Sequence, residues 1–239
     1  LTDNPFKEGK QLNSPVKEIY VATGDVVDSR KLQKAGVNFR DHLRDGWNEI
    51  TSSLFISTVA PFEFRGGDSF QVALGDLKQS VMVMILLFAH FKSLQTKERE
   101  MNLRISLGIG EGRINKGTVH ESEGTAFENS GLILETMKKG QDLFRVSVSD
   151  NSEYIANRPF HYSCTCFETL LKQWTPTQAR RIYQYLLGKK VTVISEEENR
   201  SQATVSESLK AGSLSLVEKF PQHIQDLYDL YEGRFRNEF

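Results

Sequence analysis

The order of hydrophobic periods in the first part of the chain leaves few folds open. "EIYVATGDVV" (Glu18 to Val27) is rich in β-branched residues and ends on a turn signal, as a strand does. Leu32, Ala35, Phe39, Leu43 and Trp47 then recur at helical spacing. Two strand-like runs, Leu54 to Phe64 and Ser69 to Leu74, flank Gly66, Gly67 and Asp68 and predict a hairpin. Leu77 to Leu94 reads as a buried helix, and alternating Leu103, Ile105, Leu107 and Ile109 as a fourth strand. The order βαββαβ predicts an α+β, ferredoxin-like domain with an antiparallel sheet and both helices on one face. A helix from about Ala126 to Lys139 and a short strand near Leu143 to Val148 follow.

In such a sheet the first strand and the central hairpin are neighbours. Asp25, at the end of the first strand, and Asp68, at the hairpin tip, are therefore expected to converge. Gly66 and Gly67 permit positive φ and leave room for a phosphate at the backbone. Paired carboxylates suit Mg²⁺ or Mn²⁺, with a nucleotide's phosphates completing the coordination. The competing reading is an ordinary Gly-Gly-Asp turn, with Asp25 capping the loop into the next helix and Asp28 a solvated or loop-capping residue.

Composition excludes some partners. A net charge of -1 gives no overall basic field to recruit nucleic acid or an anionic membrane. The most apolar run, Val81 to Phe91, falls short of the ~20 residues of a membrane-spanning helix. Cys164 and Cys166 are too close in sequence for a strain-free disulfide, and "HYSCTC" lacks the spacing of a zinc site. These features predict a soluble, cytoplasmic chain in a reducing compartment.

The pairing of "GDVVDSR" (Gly24 to Arg30) with "RGGDSFQ" (Arg65 to Gln71) resembles the palm domain of class III nucleotidyl cyclases and GGDEF diguanylate cyclases. The chain also resembles the bacterial SatD family through "LRISLGIG", "GTAF" (Gly124 to Phe127) and "WTPTQ" (Trp174 to Gln178), over roughly Glu18 to Phe220. The resemblance implies that Asp25 and Asp68 hold metal, and that Arg65, Gly66, Gly67 and Asn129 contact a nucleotide. It also implies a homodimer. Two groups depart from the cyclase pattern: Ser69 stands where GGDEF domains carry Glu, and Ile133 where class III cyclases carry an arginine. Arg30, Arg65 and Arg104 are the candidate substitutes.

From Asn151 the character changes. Residues 151–166 read as a linker, and helical periods follow from Phe167. Thr175 and Pro176 open one helix as N-cap and first residue. Val191 to Gly212 resembles a helix-turn-helix, with Ile194, Ser195, Val205 and Leu209 inward, Asn199 at the turn and Ser201 as N-cap. Gln202, Ala203, Thr204, Ser206, Glu207 and Lys210 would then face DNA, and Lys172, Arg180, Arg181, Lys189, Lys190 and Arg200 would supply phosphate contacts. Glu198 is out of place in a normally apolar position. A final amphipathic helix presents Ile224, Leu227, Tyr228 and Tyr231 on one face.

The expected organisation is an N-terminal arm (1–17), a cyclase-like domain (18–150), the linker, a helix-turn-helix domain (167–220) and the amphipathic helix (221–239). The expected function is a SatD-like regulator whose degenerate palm binds nucleotide or metal, or dimerises, while the helix-turn-helix binds DNA. The alternatives are a metal-dependent nucleotidyl cyclase or phosphotransferase using Asp25 and Asp68, and an interaction protein that binds no DNA.

Overall fold

The computed structural model describes residues 16–149 and 154–233. Most of the expected N-terminal arm, the start of the linker and the end of the last helix lie outside these residues. The described chain runs β1 (Lys17–Val26), α1 (Ser29–Lys34), α2 (Phe39–Ser53), β2 (Thr58–Gly66), β3 (Ser69–Leu74) and α3 (Leu77–Ser93). It continues with β4 (Leu103–Asn115), β5 (Thr118–Glu123), α4 (Thr125–Gly140) and β6 (Phe144–Ser147). The remaining elements are helices: α5 (Asn157–Gln173), α6 (Pro176–Leu186), α7 (Val191–Glu197), α8 (Gln202–Ala211) and α9 (Leu214–Tyr231).

The sheet order is β2-β3-β1-β4-β5, with β6 pairing β4 in parallel. The pairs β2–β3, β3–β1 and β1–β4 are all antiparallel, so the βαββαβ order expected from the sequence is present. Differences are local. The expected first helix is broken at Gly36 (φ 76°) into α1 and α2. The segment before Thr58 is not strand, β5 was not anticipated, and α5 begins at Asn157 inside the expected linker.

Strand alternation divides the sheet into two unlike faces. Tyr20, Ala22, Phe70, Val72, Leu74, Ile105 and Leu107 share one core with Leu43 and Ile50 of α2 and with α3. Thr23, Asp25, Gln71, Arg104, Ser106 and Gly108 alternate with these residues, and α4 packs on β4 and β1 from the other side. Close approach is possible because Gly108 has no side chain: a Cβ there would lie 2.2 Å from the Ala126 carbonyl oxygen and 2.4 Å from the Ser130 nitrogen. The buried hydroxyl and amide side chains beneath the first half of α4 bond to one another and to the backbone. Gln71 Nε2 donates to Thr23 Oγ1, Thr23 bonds Ser130 Oγ at 2.8 Å, and Ser106 Oγ reaches the carbonyls of Ser130 and Thr23.

Helix α3 is apolar on every side, so a sheet alone cannot bury it. The C-terminal helices α6 and α9 cover the side turned from the sheet, and both halves of the chain contribute to one continuous core. Trp174 packs edge-on against Phe88 and donates its indole N–H to the Gly212 carbonyl at 3.0 Å. Tyr183 of α6 donates to Glu49 of α2 at 2.9 Å and lies against the ring of His90.

His90 sits at this junction, with Nε2 3.0 Å from the His42 carbonyl. Burial lowers its pKa from the ordinary 6.5; the contact with His42 oxygen and the charges of Glu49 and Asp45 oppose the shift without reversing it. The unfolded chain therefore takes up a proton that the folded chain refuses. Stability contributed by neutral His90 is expected to be lost as pH falls below about 6.5. Urea denaturation from pH 8 to 5 checks this, and His90→Gln should flatten that part of the profile.

Candidate functional site

Cross-strand register builds the site. Asp25 on β1 stands opposite Arg104 on β4, on the α4 face. Arg104 Nη1 donates to Asp25 Oδ1 at 2.8 Å, and Lys138 Nζ, from the last turn of α4, lies 3.3 Å from Oδ2. Asp25 is 4% exposed. Burial pushes its carboxyl above the ordinary value; Arg104 and Lys138 oppose that rise and Asp68 adds to it. Burial also opposes charge on Lys138, but its bond to Glu135 and the nearness of Asp25 outweigh burial and raise its pKa.

Asp68 occupies the two-residue loop between Gly66 and Ser69, which are paired across the hairpin. Gly66 (φ 128°) and Gly67 (φ 51°) both adopt positive φ, the conformational reason for the glycine pair. Arg40 of α2 donates to the Gly67 carbonyl and lies over the Phe64 ring, fixing the tip from below. Gly24, beside Asp25, is glycine for packing: a Cβ would meet the Phe70 ring at 2.4 Å.

Asp25 and Asp68 line one cavity of about 580 Å³ between the end of β1, α1, the hairpin tip and the end of α4. Arg30, Lys31, Lys34, Arg104 and Lys138 line it too, against only three carboxylates, Asp25, Asp28 and Asp68. Asp28 is exposed and only weakly paired, 3.6 Å from Lys31. A second cavity of about 740 Å³ shares Ser29, Arg30 and Asp68 and continues past Gly67 to α2.

As a metal centre the donor set is poor. Both oxygens of Asp25 face cations, and among the described residues no group of three or more His, Cys, Asp or Glu side chains is placed to hold an ion. The expected metal pair is brought together, but in a cationic setting.

The other expected nucleotide contacts divide. Gly67 lines the second cavity. Arg65 instead donates to Gln71 at 2.9 Å, at the end of the polar row under α4. Asn129 donates to the Ile109 carbonyl at 2.7 Å and lines a separate cavity near the end of α9, because α4 carries it toward the opposite end of the sheet from Lys138. Ile133, in the position of the cyclase arginine, is 2% exposed among Leu134 and Met137. Of the candidate substitute arginines, Arg30 and Arg104 reach the cavity of Asp25. Lys138 was not anticipated. Its signal is the stripe Ser130, Leu134, Lys138, whose i, i+4 spacing carries one buried face of α4 off the end of the sheet.

In the C-terminal helices, Asn199 has φ 49° between α7 and α8, and Ser201 caps α8 by accepting from the Thr204 N–H. Ile194, Ser195, Val205 and Leu209 are buried, while Gln202, Ala203, Thr204, Ser206, Glu207 and Lys210 are exposed. Four of the six cations expected to reach phosphates are engaged within the protein. Arg180 and Arg181 both bond Glu198, Lys189 bonds Glu197, and Lys172 bonds Glu168. This accounts for the misplaced Glu198: burial alone would raise its pKa, but Arg181 and Arg180 hold it below the carboxylate range.

No family model and no curated protein matches this chain. Among solved structures, the active GGEEF domain of a diguanylate cyclase from Vibrio cholerae is similar at 10% identity and a TM-score of 0.39, covering 56% of this chain and 83% of that one. No helix among the described residues is long and apolar enough to cross a membrane.

Removing Glu198 would strand the Arg181 guanidinium, whose side chain is 8% exposed. Glu198→Gln is expected to destabilise the fold by about 3 kcal/mol, measured by urea denaturation. An unchanged midpoint would release both arginines for another role.

Proposed function

We propose that the cavity shared by Asp25 and Asp68 binds the phosphates of a nucleoside polyphosphate. The observation that carries this reading is the surplus of cationic side chains around two converging carboxylates at one end of the sheet. Arg104 is positioned by Asp25 through Nη1, and its Nε has no acceptor among the described residues. Its planar fork suits phosphate oxygens, while Lys138 and the exposed lysines of α1 act as point charges. The second cavity offers space for the nucleoside on the far side of Asp68.

Binding without turnover is the preferred form of this reading. Phosphoryl transfer depends on charge placed opposite the leaving group. On α4, Asn129 is turned to Ile109 and Ile133 is buried, so neither serves this pocket. ATP and GTP, titrated by calorimetry with Mn²⁺ and separately in EDTA, are expected to bind in at least one buffer. Arg104→Gln should weaken that binding about tenfold. The same mixtures, incubated and separated by chromatography, should contain no cyclic nucleotide or other new product. Absence of binding in both buffers sinks the reading, and steady product formation abolished by Asp25→Ala promotes the enzyme alternative, including a site completed by a second subunit.

DNA contact through α8 is the second reading, supported by the exposed row Gln202, Ala203, Thr204, Ser206 and Lys210. With Lys190, Arg200 and Lys210 as its phosphate contacts, log affinity should fall against log salt with a slope of about -3. Filter binding to a random duplex library tests it. No retention at low salt would leave α6–α8 as a packing module for α3.

A further inference from the structure

Lys138 stands where a metal ion bound to Asp25 would have to approach. Asp25 is fixed by the strand register, and its two oxygens are divided between Arg104 Nη1 at 2.8 Å and Lys138 Nζ at 3.3 Å. A Mg²⁺ ion needs open carboxylate oxygens at about 2.1 Å in near-octahedral geometry. Only Asp68, of this pair, is without an ion pair or hydrogen bond among the described residues, and a single carboxylate leaves most of that shell to other donors. Lys138 is not a stray surface side chain. The helix that carries it is seated on Gly108 and bonded to β1 through Ser130 and Thr23, and Glu135 holds the same ammonium from the helix side.

We infer that Lys138 is a built-in cation, and that this pocket takes the polyphosphate of a nucleotide free of divalent metal. The inference rests on the polyphosphate reading of the same cavity. Lys138 and Arg104 then supply the positive charge that a metal ion would otherwise bring. Asp25 serves as their positioning residue and makes no bond to the ligand. The Lys138 side chain is 38% exposed, enough for its ammonium to meet an anion in the cavity while keeping Asp25 as a partner. Arg30, Lys31 and Lys34 on α1 face the same space and extend the cationic wall along a phosphate chain.

Inorganic tripolyphosphate and ATP, each titrated in EDTA and again with Mn²⁺, test this on the wild type, Lys138→Met, Lys138→Arg and Asp25→Asn. Near-ultraviolet circular dichroism confirms that each variant is folded. The wild type should bind in EDTA, and Mn²⁺ should not tighten binding. In EDTA, Lys138→Met should lose about tenfold in affinity, the loss of one charge-assisted contact, and Lys138→Arg should restore most of it. With Asp25 Oδ2 released, Lys138→Met should now gain from Mn²⁺, and Asp25→Asn should remove that gain in the double variant. Wild-type binding that requires Mn²⁺, or Lys138→Met unchanged in EDTA, overturns the built-in cation while leaving the polyphosphate pocket standing. Failure of both probes to bind in either buffer overturns the pocket itself.

Discussion

The close seating of α4 on Gly108 governs the chemistry of the whole site. With no Cβ in the way, the helix backbone comes down onto β4, and Ser130 reaches Thr23 while Ser106 reaches the Ser130 carbonyl. These bonds satisfy polar groups that would otherwise be costly beneath a helix. They also set the helix's position along the sheet, so its last turn ends over Asp25. Two turns further along the stripe that starts at Ser130, Lys138 meets a carboxylate on β1. The ion triad of Asp25, Arg104 and Lys138 is thus a consequence of backbone proximity at a glycine.

The two faces of the sheet divide the labour. One face is continuous hydrocarbon and carries the stability of the chain through α2 and α3. The other carries a smaller apolar cluster, Ile19, Val21 and Ala73 against Ala126 and Phe127 of α4, followed by small and polar side chains, and at its end the hairpin tip and α1 close a cationic cavity around Asp25. Such a cavity holds like charges near one another, at a cost in folding free energy that a bound anion would relieve.

Helix α3 explains the C-terminal third. A helix apolar on all sides cannot be an outer layer, and α6 and α9 cover it with a further layer beyond α4, the sheet and α3. Buried Arg181 and exposed Arg180 of α6 both bond Glu198, which ties α6 to the end of α7. Charges that in sequence look available to a nucleic acid are therefore largely committed to tertiary structure. The exposed face of α8 is polar but nearly without positive charge.

The sequence by itself determined the strand and helix order, because period-2 and period-3.6 patterns are local properties of neighbouring residues. It also determined the Gly66-Gly67 turn and the Thr175 and Ser201 caps, since backbone conformation and capping need only a few adjacent residues. The convergence of Asp25 and Asp68 followed from the βαββαβ order alone. Short β5 was not legible, having little apolar alternation, and only the second half of α5, from Phe167, was, because "NRPFHYSCTC" before it lacks a clear helical period. Only the tertiary structure decided which cations belong to which carboxylates. Lys138 lies far from Asp25 in the chain, and Glu198 is adjacent to neither arginine it binds. Asn129 and Lys138 share one helix yet serve opposite ends of the sheet, because the helix's length along the strands, rather than its sequence, sets what each residue can touch.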